Sequence, residues 1–266
     1  MAEIMLTDKA RLATGRGVPG WMVSPAILTA VGLVIVWELG IRFFGVPAYI
    51  APPPSLIVAE IYKQRAIIMA SLMPTAVEAV VGFLVGNMFA ISLATWLVHR
   101  PLAERSVYPI AVFIHTIPTL AIAPILVLIL GTGYAPKIAI SAMITFFPML
   151  VNMVRGLKSV TPQMMELMTV LSASRSEIFW KVRWQSSWPF LFAALKVTAP
   201  ASVIGAVVGE WIGSSYGLGA LILAATYNFR SALLYAAIVS CSALALIMTG
   251  LVSMLERRVM RWNAAG

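Results

Sequence analysis

The chain has 266 residues, of which 61% are hydrophobic and 11% charged, and its formal net charge is +9. Soluble domains carry about 25% charged residues, so this composition indicates an integral membrane protein. The length suits one domain of several spans and leaves no room for a separate soluble enzyme. The basic residues lie between apolar runs and not in one patch, which favours a role in membrane topology over nucleic-acid binding.

The apolar runs predict an all-α integral membrane fold with six transmembrane helices, because a spanning helix needs about 20 mostly apolar residues. Residues 1–24 lack a short apolar region with a cleavage site, so we expect a cytoplasmic N-terminal segment and a retained first span. The six-helix transmembrane domain covers 25–256, and a cytoplasmic tail covers 257–266. The predicted spans are about 25–44, 72–98, 106–130, 138–155, 188–209 and 231–255.

Prolines mark the irregular parts of the chain. Three consecutive prolines in the stretch 47–55 predict a loop, since they cannot lie inside a helix. The following residues, 55–68, suit a helix on the membrane surface. Pro118, Pro124 and Pro148 lie inside predicted spans, where neighbouring helices satisfy the freed carbonyls and kinks are common.

The basic residues predict the orientation. With a cytoplasmic N-terminus, fourteen of the nineteen Lys and Arg residues lie on the inner side, and five lie outside: Arg42, Lys63, Arg65, Lys137 and Arg230. This excess favours both termini in the cytoplasm of an inner-membrane protein. It also places the connection 156–187, between the fourth and fifth spans, on the cytoplasmic side.

Few residues suit a metal site. The single cysteine, Cys241, lies in an apolar run, which excludes an internal disulfide and indicates a small core residue. The two histidines, His99 and His115, are far apart in sequence. The sequence therefore indicates no metal site.

The stretch 166–189 is the one long polar and charged segment between two very apolar regions, and we call it the polar segment. The chain has no phosphate-binding loop of the form G-x-x-x-x-G-K-[ST]; the nearest string, 131–137, has the wrong spacing. A partner must therefore hydrolyse any nucleotide that drives this protein. A short cytoplasmic helix would transmit the movement of that partner to the spans.

The polar segment, ELMTVLSASRSEIFWKVRWQSSWP, resembles the E-A-A loop of the permease subunits of bacterial binding-protein-dependent ABC importers. The family pattern is E-A-A, three residues, Gly, nine residues, then Ile-x-Leu-Pro. Glu166 matches the acid, Val182 stands at the isoleucine position and Pro189 matches a second proline common in this branch. Ser172 replaces the glycine, and Gln185 stands where the pattern has proline.

Further stretches extend the resemblance from about residue 50 to the end of the chain. Residues 108–138, 146–160 and 207–222 are similar to permeases of sulfonate, taurine, nitrate and thiamine-precursor importers. The resemblance implies a type I ABC importer permease fold with a cytoplasmic coupling helix and transport by alternating access. It implies a second permease subunit, expected to be an identical copy, two ATP-binding subunits that hold ATP and Mg²⁺, and an extracytoplasmic substrate-binding protein.

The same resemblance suggests residues for coupling to the ATPase. Glu166 is expected to dock the ATPase, although a solvated acid at a helix start is the alternative. Arg175 and Lys181 either face the ATPase or balance charge on the inner side. If the family glycine gives a turn with positive φ, Ser172 fits that turn less well, but a serine can cap the following helix.

Other residues are candidates for the solute path or its gate. Glu78 lies early in the second span, where an acid is functional by default, unless it is shallow enough to reach water. His115 in the third span is expected to be a hydrogen-bonded core residue and not a proton relay. Glu210, Trp211 and Tyr216 suit either an outer mouth or an interfacial aromatic belt. Gly213, Gly217 and Gly219 suit turns and close packing better than phosphate binding.

Two other classes of protein compete with the importer. An ion-coupled secondary transporter or channel needs charges within the membrane, for which Glu78 and His115 are the candidates, and it gives the polar segment no role. A membrane-embedded enzyme needs clustered catalytic polar residues, which the spans lack.

Overall fold

The computed structural model describes residues 25–260, and all regular structure within that range is helical. The fold is therefore all-α, as predicted. One π-helical turn, Ile178–Arg183, lies within the eighth helix. In chain order the helices are α1 (Pro25–Phe43), α2 (Pro54–Lys63), α3 (Arg65–His99), α4 (Pro101–Thr116), α5 (Thr119–Leu130), α6 (Tyr134–Lys158), α7 (Pro162–Val170), α8 (Arg175–Glu210), α9 (Leu218–Tyr227) and α10 (Ser231–Val259).

Four helices within the described range are long and apolar enough to cross a membrane, namely α3, α6, α8 and α10. The bent pair α4–α5 makes five if it counts as one span. The first predicted span, 25–44, coincides with α1, which is outside this set. A count of six spans therefore stays a prediction.

The loop before α2 fastens the first two helices together. Residues 47–53 are not helical, as predicted, but the loop predicted for 47–55 ends two residues earlier. Pro54 opens α2, at a position where the missing N–H of proline costs nothing. The carboxylate of Glu38 in α1 accepts a hydrogen bond from the Ser55 backbone N–H at 2.9 Å and one from Arg42 Nε at 2.6 Å. The predicted surface helix 55–68 is shorter than expected, because α2 ends at Lys63 and α3 begins at once.

The third predicted span, 106–130, is not one helix. It is divided into α4 and α5, whose axes differ in direction by 95°. Ile117 and Pro118 between them have extended backbone, with ψ of 125° and 118°. The ring of Pro118 disfavours helical geometry at Ile117 and removes a backbone donor, so the chain breaks at this position and does not only kink.

Helix α6 lies between α3 and α8, and glycines allow the close approach on both sides. A Cβ added at Gly86 of α3 would lie 2.9 Å from the Cα of Ala142, and one at Gly205 of α8 would lie 2.6 Å from the Cα of Ser141. Small residues spaced four apart are the usual means by which helices pack closely inside a membrane. These contacts make α3, α6 and α8 the rigid centre of the molecule.

Apolar residues fill the space between these helices. The largest buried cluster includes Leu97 of α3, Met153 of α6 and Phe179 of α8, and Phe179 belongs to the polar segment. A second cluster joins α2, α9 and α10 around Leu218 and Leu233. The polar segment is thus anchored to the core at Phe179.

Candidate functional site

The polar segment begins within α7, a short helix that leaves apolar side chains uncovered. Thr161 caps its N-terminus by accepting a hydrogen bond from the backbone N–H of Met164 at 3.4 Å. Met168 is buried, whereas Glu166 on the same helix is exposed. The exposed apolar residues of α7 and the turn after it are Met164, Leu167, Val170 and Leu171, with Val170 81% exposed.

Ser172, at the glycine position of the family pattern, has a backbone conformation that glycine adopts more readily than serine. Its φ is +51°, in the left-handed region. The N–H of Ala173 bonds to the carbonyl of Met168 and that of Ser172 to Thr169, which is the Schellman arrangement that ends many helices. The idea that Ser172 caps the next helix is wrong, because its backbone already serves to end α7.

The capping role belongs to Ser174. Its hydroxyl accepts a hydrogen bond from the N–H of Glu177, whose carboxylate accepts one from the N–H of Ser174 at 3.0 Å. Lys181 donates to the other oxygen of Glu177 at 2.9 Å. Lys181 is therefore engaged in an exposed ion pair within its own helix.

We expect Ser172→Gly to stabilise the turn after α7. The left-handed conformation costs a non-glycine residue about 1 kcal/mol, and glycine removes that cost. Hydrogen exchange of the Ala173 amide should slow about fivefold. The matched control, Ser176→Gly, changes a helical residue and should speed local exchange, because glycine weakens a helix. Faster exchange in Ser172→Gly would contradict the assignment of the turn.

The remaining coupling candidates lie further along α8. Arg175 is exposed and, with His99, Met165 and Arg183, lines a cavity beside the end of α3. Pro189 lies within α8 and is exposed. The candidate coupling residues therefore follow one another from α7 into the first turns of α8.

A second site is a cluster of three ionisable side chains buried between helices. Glu78 of α3, Lys137 of α6 and Glu210 of α8 are each 0–1% exposed, and we call them the ion cluster. The Nζ of Lys137 lies 3.5 Å from Oε1 of Glu78. The carboxyl of Glu78 lies beside that of Glu210. Charges without water are tolerated only when they are paired or hydrogen-bonded, so the three groups depend on one another.

The two carboxyl groups of the ion cluster have different surroundings. Glu210 accepts hydrogen bonds from the hydroxyl of Thr75 at 2.6 Å and from the N–H of Gly219. Neither oxygen of Glu78 accepts a hydrogen bond from a residue in the described range. Glu78 therefore depends mainly on the charge of Lys137. The alternative in which Glu78 reaches water is wrong for this chain.

Lys137 links the cluster to the turn between α8 and α9. Its ammonium group donates to the hydroxyl of Ser214 at 2.8 Å and lies 3.7 Å from the centre of the Tyr216 ring, a cation–π contact. Gly217, with φ of +103°, and Gly219 let the backbone pass close to Glu210. These glycines serve a turn and close packing, as predicted.

The sequence interpretation missed Lys137, which it counted among the outer loop charges. A signal was present, because Lys137, Ser141 and Thr145 follow one another at intervals of four residues in an apolar helix. Polar residues at that spacing share one helix face, and such a face within a membrane points toward protein. All three are buried in the structure.

The other path candidates are not part of the ion cluster. Trp211 is 41% exposed at the end of α8. The expectation of a core histidine is wrong, because His115 is exposed and its ring stacks on Phe147, with centroids 4.1 Å apart and planes 14° apart. The structure thus brings Glu78 and Tyr216 against Lys137, places Glu210 beside Glu78, and leaves His115 and Trp211 apart.

Comparison with known proteins gives consistent similarities. Residues 86–261 match the family described as "Binding-protein-dependent transport system inner membrane component". The formylaminopyrimidine transport permease protein ThiX of Halalkalibacterium halodurans is 30% identical over 87% of this chain and 92% of its own length. The riboflavin transport system permease protein RibX of Chloroflexus aurantiacus is 29% identical over 92% of both chains. SsuC of Bacillus subtilis, provisionally named an aliphatic sulfonates transport permease protein, is 26% identical over 96% of this chain and 93% of its own length.

Proposed function

The chain belongs to the family of inner membrane components of binding-protein-dependent transport systems. From that membership we propose which parts of the chain bind the ATPase and which form the solute path. It is the permease subunit of an ABC importer for a small solute, and ATP is hydrolysed in a separate subunit. The resemblance drawn from the sequence is therefore confirmed at the level of the family.

We propose that α7 is the coupling helix that docks the ATPase. The observation that carries this proposal is the set of apolar side chains on α7 that the rest of the described chain leaves uncovered beside the exposed Glu166. Exposed apolar residues with a charge at the edge are typical of a surface that binds another protein. Helix α7 lies between α6 and α8, so a movement of the docked partner would reach two long helices directly.

The proposed assembly places two copies of this chain around the solute path, with two ATP-binding subunits on the cytoplasmic side and a substrate-binding protein outside. Both termini and the polar segment would be cytoplasmic. The six spans would be α1, α3, the bent pair α4–α5, α6, α8 and α10. Among relatives the named solutes are formylaminopyrimidine, riboflavin and aliphatic sulfonates, and we propose a solute from these classes.

Transport would follow alternating access. ATP binding closes the ATPase dimer, draws the two α7 helices together and turns the path outward to receive solute from the binding protein. Hydrolysis and release turn the path inward. The rigid contact of α6 with α3 and α8 supports this proposal, because helices packed through glycines move as one body.

The test is Glu166→Ala in the transporter reconstituted with its ATPase subunits and binding protein. We expect normal membrane insertion and a fall of about tenfold or more in ATP-driven uptake, since removing one member of a charge pair across an interface leaves its partner without a counter-charge. Glu60→Ala removes a carboxylate from α2, on the predicted outer side, and should leave uptake unchanged.

Two outcomes would overturn the proposal. Unchanged uptake in Glu166→Ala would remove Glu166 from the docking surface. Retention of the ATPase subunits in mild detergent after deletion of 162–170 would exclude α7 as the docking helix.

A further inference from the structure

A cavity lies between α3, α4 and α6, close to the end of α4. Its volume is about 440 Å³, which is within the range of sites that hold small molecules. Four aromatic rings form part of its wall, and apolar side chains of α3, α4 and α6 form most of the rest. The rings belong to Phe89, His115, Phe146 and Phe147.

The cavity wall contains no Asp, Glu, Lys or Arg. Its polar side chains are the imidazole of His115 and the hydroxyl of Thr119. A fully ionised solute needs a counter-charge or several donors when it leaves water, and this wall offers neither. The chemistry of the cavity therefore favours an uncharged solute over a sulfonate or nitrate ion.

The stack of His115 on Phe147 gives the cavity a flat aromatic surface, because the two planes differ by 14°. No hydrogen bond joins the imidazole of His115 to another residue within 25–260. Its ring nitrogens are thus available to a ligand. Aromatic surfaces with a few polar groups bind flat heterocycles by stacking and hydrogen bonding.

The break between α4 and α5 indicates what the cavity faces. Thr116, Ile117 and Pro118 are exposed in this chain, although they lie inside an otherwise apolar helix pair. Backbone that leaves the helical pattern is not exposed to lipid, because lipid offers no hydrogen-bond partner. This side of α4 therefore borders another protein chain or a water-filled path, and a solute in the path has access to the cavity.

We propose that this cavity is a subsite for a flat, uncharged heteroaromatic solute that stacks on the His115–Phe147 pair. His115 and Thr119 would hydrogen-bond the polar edge of the ring system. The inference rests on the proposed function, that this chain forms the path of an importer, and it names the class of solute.

The test uses the assembled transporter with its ATPase subunits in lipid nanodiscs and lumichrome, an uncharged fluorescent three-ring heterocycle, as the probe. We expect saturable binding that Phe147→Leu weakens about tenfold, because the stacking surface is lost. Phe113→Leu makes the same truncation on α4 at a residue that is 68% exposed and outside the cavity, and should not change binding. Butanesulfonate should not displace the probe.

Equal affinities of the two leucine variants for lumichrome would overturn the inference, and so would displacement by butanesulfonate. Displacement by added phospholipid would assign the cavity to an acyl chain and would also overturn it. Failure of the proposed function looks different: the ATPase subunits would not co-purify, and ATP would not drive uptake of any solute, whatever the affinity for lumichrome.

Discussion

Replacement of Lys137 by methionine is expected to destabilise the folded chain by about 3–5 kcal/mol. The substitution keeps the apolar stem but removes the one cation of the ion cluster, so Glu78 and Glu210 face each other without compensation. Neither carboxyl reaches water in the folded chain. Stability can be measured as the fraction of folded protein during titration with dodecyl sulfate from a mild detergent.

A double variant separates loss of charge balance from loss of packing. We expect Lys137→Met combined with Glu78→Leu to recover more than half of the lost stability, because buried ion pairs replaced by apolar groups are often near neutral. Glu210 would keep its bonds from Thr75 and Gly219 in that variant. If the double variant is less stable than Lys137→Met alone, the two charges do not compensate each other.

The second large effect is expected for Gly86→Leu. Leucine favours a helix more than glycine does, so local propensity predicts stabilisation. A Cβ at this position would, however, lie 2.9 Å from the Cα of Ala142, and backbone cannot rotate away as a side chain can. Helices α3 and α6 would have to separate, which costs about 1–3 kcal/mol or more. A lower midpoint of thermal aggregation in detergent would show this.

Gly250 offers a matched control. It lies on α10, and an added Cβ would meet nothing within 4 Å. Gly250→Leu is therefore expected to leave the midpoint unchanged or to raise it slightly. If Gly86→Leu and Gly250→Leu lower the midpoint equally, glycine is needed for a general reason, such as insertion, and not for the contact of α3 with α6.

The sequence predicted the positions of the long helices well, because an uninterrupted apolar run of about 20 residues can form few structures other than a helix in a membrane. It did not predict the 95° bend at Pro118. A proline within a span is compatible with a kink or a complete break, and tertiary packing of α4 and α5 decides between them.

The sequence did not predict that the three residues of the ion cluster lie together. Glu78 and Glu210 were both noted as candidates, but 132 residues separate them and nothing local indicates that they meet. Lys137 was assigned by topology, since it lies near the start of a helix. Only the packing of α6 between α3 and α8 makes it an internal residue.

The cluster also bears on the competing ion-coupled transporter. That class requires ionisable groups within the membrane, and the described part of the chain buries three of them together. Here the cation lies against one carboxylate and the other is hydrogen-bonded to a hydroxyl and a backbone N–H. Contacts of this kind between α3, α6 and α8 hold helices together, which agrees with an importer whose energy comes from a separate ATPase.

Helix α8 physically connects the polar segment with the ion cluster. It is continuous for 36 residues, from the capping box at Ser174 to the buried carboxyl of Glu210. At 1.5 Å per residue it is a rod about 54 Å long. If its first turns tilt by about 5°, the far end of such a rod moves about 5 Å relative to them. That displacement exceeds the length of any hydrogen bond in the ion cluster. Helix α8 therefore acts as a lever, because a movement at the polar segment changes the position of Glu210 at the other end.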